Sequence, residues 1–294
     1  MIRRRSAGEI IFDCGNYLFL VVITICAVYP ILFVAFASLS EPVALMRFRG
    51  ILIRPLGLTL ESYMLVLENP LIKSGYLNTL IIVIFGTLLN VMMTSFAAYA
   101  LSRKKLYFKN FIVFMITFTM FFSGGLIPNY LLVRMTLGLK DNYLALILPG
   151  AMSAYNMIIM RTSFAALPDS MDESAKLDGA NDFTILFRII LPLSLPVLMV
   201  MILFYSVGHW NSWFSAMLYI DTRSKYPLQL VLREILIANA TSDMTTGVAM
   251  EDKAFVGETI KYSTIIVATL PILALYPFLQ KFFVKGVMIG AIKE

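Results

Sequence analysis

Apolar residues fill six stretches of the chain, roughly 16–38, 76–101, 109–133, 142–165, 194–218 and 260–283, with polar residues collected between them. A helix needs about 20 apolar residues to cross the hydrocarbon core of a bilayer, and each window meets that length. The pattern predicts an all-α polytopic membrane protein of six transmembrane helices. Six crossings put both termini on one side.

Composition strengthens this reading. Of the 294 residues 59% are hydrophobic and 14% charged, with a mean hydropathy of +0.82, values that exclude an ordinary soluble domain.

Charge supplies the orientation. Arg3, Arg4 and Arg5 precede the first window, and Arg103, Lys104, Lys105 and Lys109 crowd the short gap after the second. By the positive-inside rule these segments face the cytoplasm, and with them the polar stretch between the fourth and fifth windows. The resulting division is a cytoplasmic N-terminal segment 1–15, a transmembrane domain 16–283 and a cytoplasmic tail 284–294. Outer loops span 39–75 and 219–259, and a cytoplasmic loop spans 168–192.

The net charge of +6 is spread over membrane flanks with no aromatic-interleaved basic patch, so lipid rather than nucleic acid is the expected surroundings. Cys14 and Cys26 lie about 18 Å apart at the helical rise and cannot bridge each other. The first window is longer than a signal-peptide core and no small-residue cleavage pattern follows it, so it is expected to be a retained span.

Several interruptions carry information. "FFSGGLIPNYLL" places Gly124, Gly125 and Pro128 in the third window, where broken backbone bonding is tolerated only beside protein or a water-filled cavity. This segment is expected to be buried in protein. Pro30, Pro149, Pro196, Pro271 and Pro277 are expected to kink or end their helices. Leu60, Tyr63, Met64 and Leu67 have the spacing of a short amphipathic helix at the membrane surface.

The most polar stretch between spans is "DESAKLDGANDFTILFRIILP", residues 172–192. Pro168 can start a helix there, Asp169 and Asp172 suit its positive end, and Met171, Ala175 and Leu177 form a modest apolar strip. Gly179 permits a tight turn or a close backbone approach. Phe183, Leu186, Phe187 and Ile190 follow at helical spacing, and Pro192 is expected to end the piece. The prediction is a helix–turn–helix knuckle; the plain alternative is a solvated loop with ordinary amphipathic helices.

The spacing is more specific than that alternative. Glu173, Ser174 and Ala175, then Gly179 after three residues, then Ile189, Leu191 and Pro192 after nine more, fit the pattern E-A-A, G, I-x-L-P, with serine for one alanine. This resembles the docking loop of permease subunits of binding-protein-dependent ABC importers. "YLNTLIIVIFGTLLNVMMTSFAAYALSR" and "LQKFFVKGVMIGAIKE" resemble the carbohydrate-uptake branch, and "FFSGGLIPNYLLV" its polysaccharide-fragment subgroup.

The resemblance implies the type I importer permease fold, also called MetI-like, in a bacterial cytoplasmic membrane. It implies a second homologous permease, an ABC ATPase dimer, an extracytoplasmic solute-binding protein and an oligosaccharide substrate. Glu173, Ser174, Ala175, Asp178, Gly179, Ala180, Ile189, Leu191 and Pro192 become the expected ATPase-coupling residues. Rigid helices joined by a tight turn transmit displacement, which suits that role.

No G-x-x-x-x-G-K-[ST] phosphate loop occurs, so no cofactor is expected in this chain, with ATP and Mg on the partner ATPase. His209 is the only histidine and no carboxylate lies deep in a window, which argues against a metal site, a membrane-embedded enzyme and proton coupling. An ion-coupled secondary transporter of small solutes is the alternative, although no internal repeat supports it.

His209, Trp210, Asn211 and Trp213 group near the outer half of the fifth window, where a sugar could meet hydroxyl partners and an indole face. The alternative is that Trp210 and Trp213 anchor the helix at the interface and Asn211 bonds across to a neighbouring helix. Tyr155, Asn156 and Asn90 are further pathway candidates, with an interhelical hydrogen bond as the alternative. Arg223, Lys225 and Arg233 could draw an acidic oligosaccharide such as a uronate fragment to the outer mouth, or stand as solvated loop charges.

Overall fold

The computed structural model describes residues 7–104, 106–237 and 253–291. Arg3, Arg4, Arg5, Lys105, the later part of the outer loop (238–252) and the last three tail residues lie outside the described residues. Among the described residues all regular structure is helical, apart from one isolated bridge between Ser40 and Leu58.

Three helices are long and apolar enough to span: Gly8–Ser38, Pro70–Ser102 and Val256–Leu275. Two bent pairs raise the number to five if each is one span: Lys109–Phe121 with Leu126–Thr136, bent by 108°, and Asp182–Leu193 with Leu195–Trp210, bent by 89°. The fourth window is split into a short helix, Leu144–Ile147, and a longer one, Ala154–Ala165.

The chain forms two compact units. One joins the chain up to Asn69 with Glu234–Thr269, and the other joins Pro70–Arg233 with the chain from Leu270.

In the first unit, helix α1 (Ala7–Ser38) is succeeded by α2 (Pro42–Arg47) and α3 (Glu61–Glu68). Tyr63 reaches the end of α1 through a 2.7 Å hydroxyl contact with Ser38. Leu52 N–H donates to the Tyr29 hydroxyl at 3.2 Å, folding the loop back along α1. Ser263 donates to the Ser38 carbonyl, and Tyr262 meets Phe33 edge-on at 5.8 Å. The predicted amphipathic helix is present, but Leu60, Met64 and Leu67 are exposed while Ser62 and Val66 are buried. Its inward face is set by the Tyr63 bond, not by the largest apolar side chains.

The second unit is built around α4 (Pro70–Ser102). Its core joins Ala98, Tyr99 and Leu101 to Met157, Met160 and Phe164 of α8 (Ala154–Ala165), and to Met201 and Tyr205 of α12 (Leu195–Trp210). A second cluster gathers Ile82, Val133, Ala145, Ala216, Tyr219 and Leu230.

The prolines divide by context. Pro149 lies at the break in the fourth window, and Pro196 opens α12, where a missing N–H is harmless. Pro30, Pro271 and Pro277 instead sit inside continuous helices, so of the two expected outcomes, a kink or an end, they do not end them. Apolar surroundings leave the backbone no competing partner, so neighbouring helical bonds are kept. The segment 121–132, expected to be buried in protein, is exposed on this chain except at the half-buried Tyr130. Gly125 turns there with φ +85°.

Candidate functional site

The knuckle forms as two short helices, α9 (Asp169–Leu177) and a rod Asp182–Leu193 made of α10 (Asp182–Ile185), a π-turn stretch (Leu186–Ile190) and α11 (Leu191–Leu193). Gly179 has φ +80°. Gly179 N–H donates to Lys176 O at 3.1 Å and Ala180 N–H to Ala175 O at 2.9 Å, the two bonds of a Schellman ending. Asn181 then caps the second helix, its side-chain oxygen accepting from Thr184 N–H at 2.8 Å. This cap was missed in the sequence, where an asparagine two residues after Gly179 and just before a helical run was the available signal.

Pro192 does not end the rod; helix continues to Leu193 and stops at Ser194 before the 89° bend. Without an N–H, Pro192 cannot bond back along the helix, and the preceding turn is widened so that Leu191 N–H reaches Leu186 O.

Ala175 is buried, as are Ile185, Leu186 and Ile190, and Phe96 meets Phe183 and Phe187 edge-on at 6.1 Å. Of the predicted coupling residues, Glu173, Ser174, Asp178, Gly179 and Pro192 are exposed, whereas Ala180, Ile189 and Leu191 are half-buried. Leu177, placed on an apolar strip from sequence, is 89% exposed.

Polar residues missed as structural ties hold the knuckle to the end of α4. Arg103 pairs with Asp172 at 3.1 Å and lies over the Tyr99 ring at 4.6 Å. Tyr99 donates to Asp172 at 3.4 Å and to Asp182 at 3.2 Å, while Lys176 bridges the same two carboxylates at 3.2 and 3.4 Å. Lys104 bonds Asp169, which raises the lysine pKa and lowers that of the carboxyl. Arg161 donates to Leu101 O, and Lys109 to Ser102 O and to Arg103 O just beyond it, so cations cover the C-terminal end of α4, a favourable place for them.

The intramembrane candidates separate into two groups. Thr87, Asn90 and Thr94 share one face of α4, and all three are buried. His209 Nε2 donates to Asn90 Oδ1 at 2.6 Å, and Asn90 Nδ2 donates to Gly150 O within the split fourth window. Thr94 meets the Tyr205 hydroxyl at 2.6 Å, which accepts from Ser153 N–H at 3.1 Å. A polar seam therefore satisfies the backbone freed by the break. Asn156 is also buried, while Tyr155 is 57% exposed.

Trp210 is buried and meets Tyr76 edge-on at 6.2 Å. Asn211 is exposed and donates to Val207 O at 3.0 Å. Trp213 is exposed at 38%, with the Arg233 guanidinium 5.0 Å from its ring centroid.

Beyond the third span lies a clasp that the sequence did not disclose. Asp141, at φ +52°, accepts from Asp221 N–H, Thr222 N–H and the Thr222 hydroxyl, and pairs with Lys225 at 2.7 Å. Arg134 pairs with Asp221 at 2.9 Å, and Tyr130 stacks on Tyr219 at 5.9 Å.

Residues 95–289 match the family of binding-protein-dependent transport system inner membrane components. The polygalacturonan/rhamnogalacturonan transport system permease protein YtcP of Bacillus subtilis is 39% identical across 96% of this chain and 98% of its own length. Protein LplC of the same organism is 40% identical across 98% of this chain and 96% of its own. Among solved structures, a chain of a bacterial ABC transporter involved in the import of the acidic polysaccharide alginate superposes with a TM-score of 0.89 at 32% identity. It is matched over 96% of this chain and 99% of that one. The continuous match, the helical spans and the knuckle agree in one conclusion: this chain belongs to the binding-protein-dependent inner membrane components, the multi-pass permease subunits of ABC importers.

Proposed function

We propose that the chain forms one half of a translocation path for acidic oligosaccharides, uronate-containing polysaccharide fragments among them, and is driven from the cytoplasm through the knuckle 168–192. The observation that carries the driving role is the geometry at Gly179. Two short helices meet at a positive-φ glycine, and nothing lies within 4 Å of a Cβ built there. Both flanks of the turn are tied to the end of α4, the first through Asp172 and the second through Asp182, so force applied at the exposed turn reaches the core without being absorbed.

Glu173, Ser174, Asp178 and Gly179 form the surface offered to the ATPase dimer, with Pro192 at the far end of the rod. Ala175, Ile189 and Leu191 seat the knuckle on its own core, and Ala180 follows the turn. ATP and Mg belong to the ATPase, and this chain contributes no nucleotide site. A second homologous permease completes the path, and an extracytoplasmic solute-binding protein delivers the sugar. Both termini and the knuckle face the cytoplasm. The acidic cargo is supported by what the relatives named above transport.

Purification of the tagged chain from its native membrane tests this reading. Recovery of a second permease and an ATPase, with hydrolysis stimulated by a sugar-loaded binding protein, is the expected result. A chain recovered alone, with uptake that runs on an ion gradient without ATP, overturns it in favour of a secondary transporter.

A further inference from the structure

We propose that Trp213 and Arg233 form a recognition site for a sugar carboxylate at the outer end of the fifth span; the proposal rests on the importer reading above and names the chemistry this chain contributes to it. Helix α12 ends at Trp210, and the chain breaks at residues 211–213 before α13 (Phe214–Tyr219) begins. The break leaves Asn211 and Trp213 exposed. Arg233, on α14 (Leu228–Ile237), lays its guanidinium 5.0 Å from the centre of the indole.

The state of Arg233 is anomalous. It is half-buried, its Nε is buried without a hydrogen-bond partner, and among the described residues no carboxylate pairs with it. Other cations near the same end are neutralised: Arg134 and Lys140 on Asp221 at 2.9 and 3.6 Å, Lys225 on Asp141 at 2.7 Å. A partly desolvated cation without a counter-ion is unfavourable unless something anionic meets it. The indole stack holds the guanidinium fork in place beforehand, so little side-chain freedom is lost when a carboxylate binds.

The chemistry of the neighbours fits a uronate. A guanidinium takes a carboxylate through two parallel N–H bonds. The indole offers a surface for the C–H face of a pyranose ring. Asn211 uses its side-chain nitrogen on Val207 O, which leaves its amide oxygen to accept from a hydroxyl. The supports are rigid: Leu228 N–H donates to Thr79 at 2.8 Å, and Leu230 packs in the same cluster as Ala216.

The test uses the complete importer in proteoliposomes with one saturating, sugar-loaded binding protein, comparing an oligogalacturonate with its uncharged methyl ester. The binding protein is shared by all variants, so its own preference cancels in comparisons between them. Arg233→Gln is expected to lower the ratio of acid to ester uptake at least about tenfold, the loss of one charge-assisted contact. An unchanged ratio overturns the site. If the glutamine variant does not assemble, Arg233→Lys decides: loss of the fork is expected to lower acid uptake several-fold, and wild-type acid uptake overturns the site. Failure of the wild-type importer to carry the acid at all counts against the cargo assignment, a result distinct from a wild type that carries it with Arg233 irrelevant.

Discussion

Arg103 and Asp172 form an ion pair at 3.1 Å, with side chains 21% and 14% exposed, and the pair ties the first knuckle helix to the end of α4. Removing one partner of this partly buried pair leaves the other charge without it, at a cost of about 1–3 kcal/mol. Asp172→Asn is therefore expected to loosen the knuckle from its own core while leaving the exposed docking residues in place. The measurement is uptake per ATP hydrolysed in the reconstituted importer. Hydrolysis that persists while uptake per ATP falls several-fold is the expected result; a wild-type ratio counts against the knuckle as a lever.

The position of that pair also shows what could be read from the chain alone. A polar island with Pro168 before it and Gly179 within it marks two helices and a turn, because those residues act on their own backbone. The direction of each carboxylate is a different matter. Asp172 and Asp182 turn toward Tyr99, which lies 73 and 83 positions away in sequence, and no local periodicity reports such a partner. Of the six spans expected from apolar length, three are single helices, two more are bent pairs and the fourth window is split, so the breaks were not legible in it. A hydropathy window averages over residues 148–153, whereas the break is sustained by Asn90 and Tyr205 from other helices. Trp210 and Trp213 looked equivalent from composition; one is buried on Tyr76 and the other is open.

That difference separates the two indoles experimentally. Trp210→Ala removes a buried ring and is expected to destabilise the assembled permease by about 3–5 kcal/mol, visible as reduced recovery and a lower Tm in detergent. Trp213→Ala is expected to leave assembly nearly intact. Equal effects on assembly would contradict the burial assignment.

The polar seam makes a sharper steric prediction. A Cβ built on Gly86 would lie 2.6 Å from His209 Nε2, too close for the ring to stay where it donates to Asn90. Gly86→Ala is expected to displace His209 and leave Asn90 Oδ1 without its donor. The penalty is about 1–3 kcal/mol, with part of it restored by His209→Ala in the same chain. Additive losses in a double-mutant cycle on Tm would show that the two residues do not interact.

The Asp141 clasp predicts a pH dependence. Lys225 and the Thr222 contacts hold the Asp141 carboxyl well below the usual carboxylate range. A group depressed in this way stabilises the fold above its unfolded value of about 3.9, and the contribution is lost as pH falls toward the folded value. Thermal melts of the purified permease are therefore expected to lose stability from about pH 5 downward more steeply in the wild type than in Asp141→Asn. The variant starts lower at neutral pH, because an amide keeps one acceptor oxygen but gives up the ion pair with Lys225. Parallel acid limbs for the two proteins would show that the clasp does not couple Asp141 ionisation to folding.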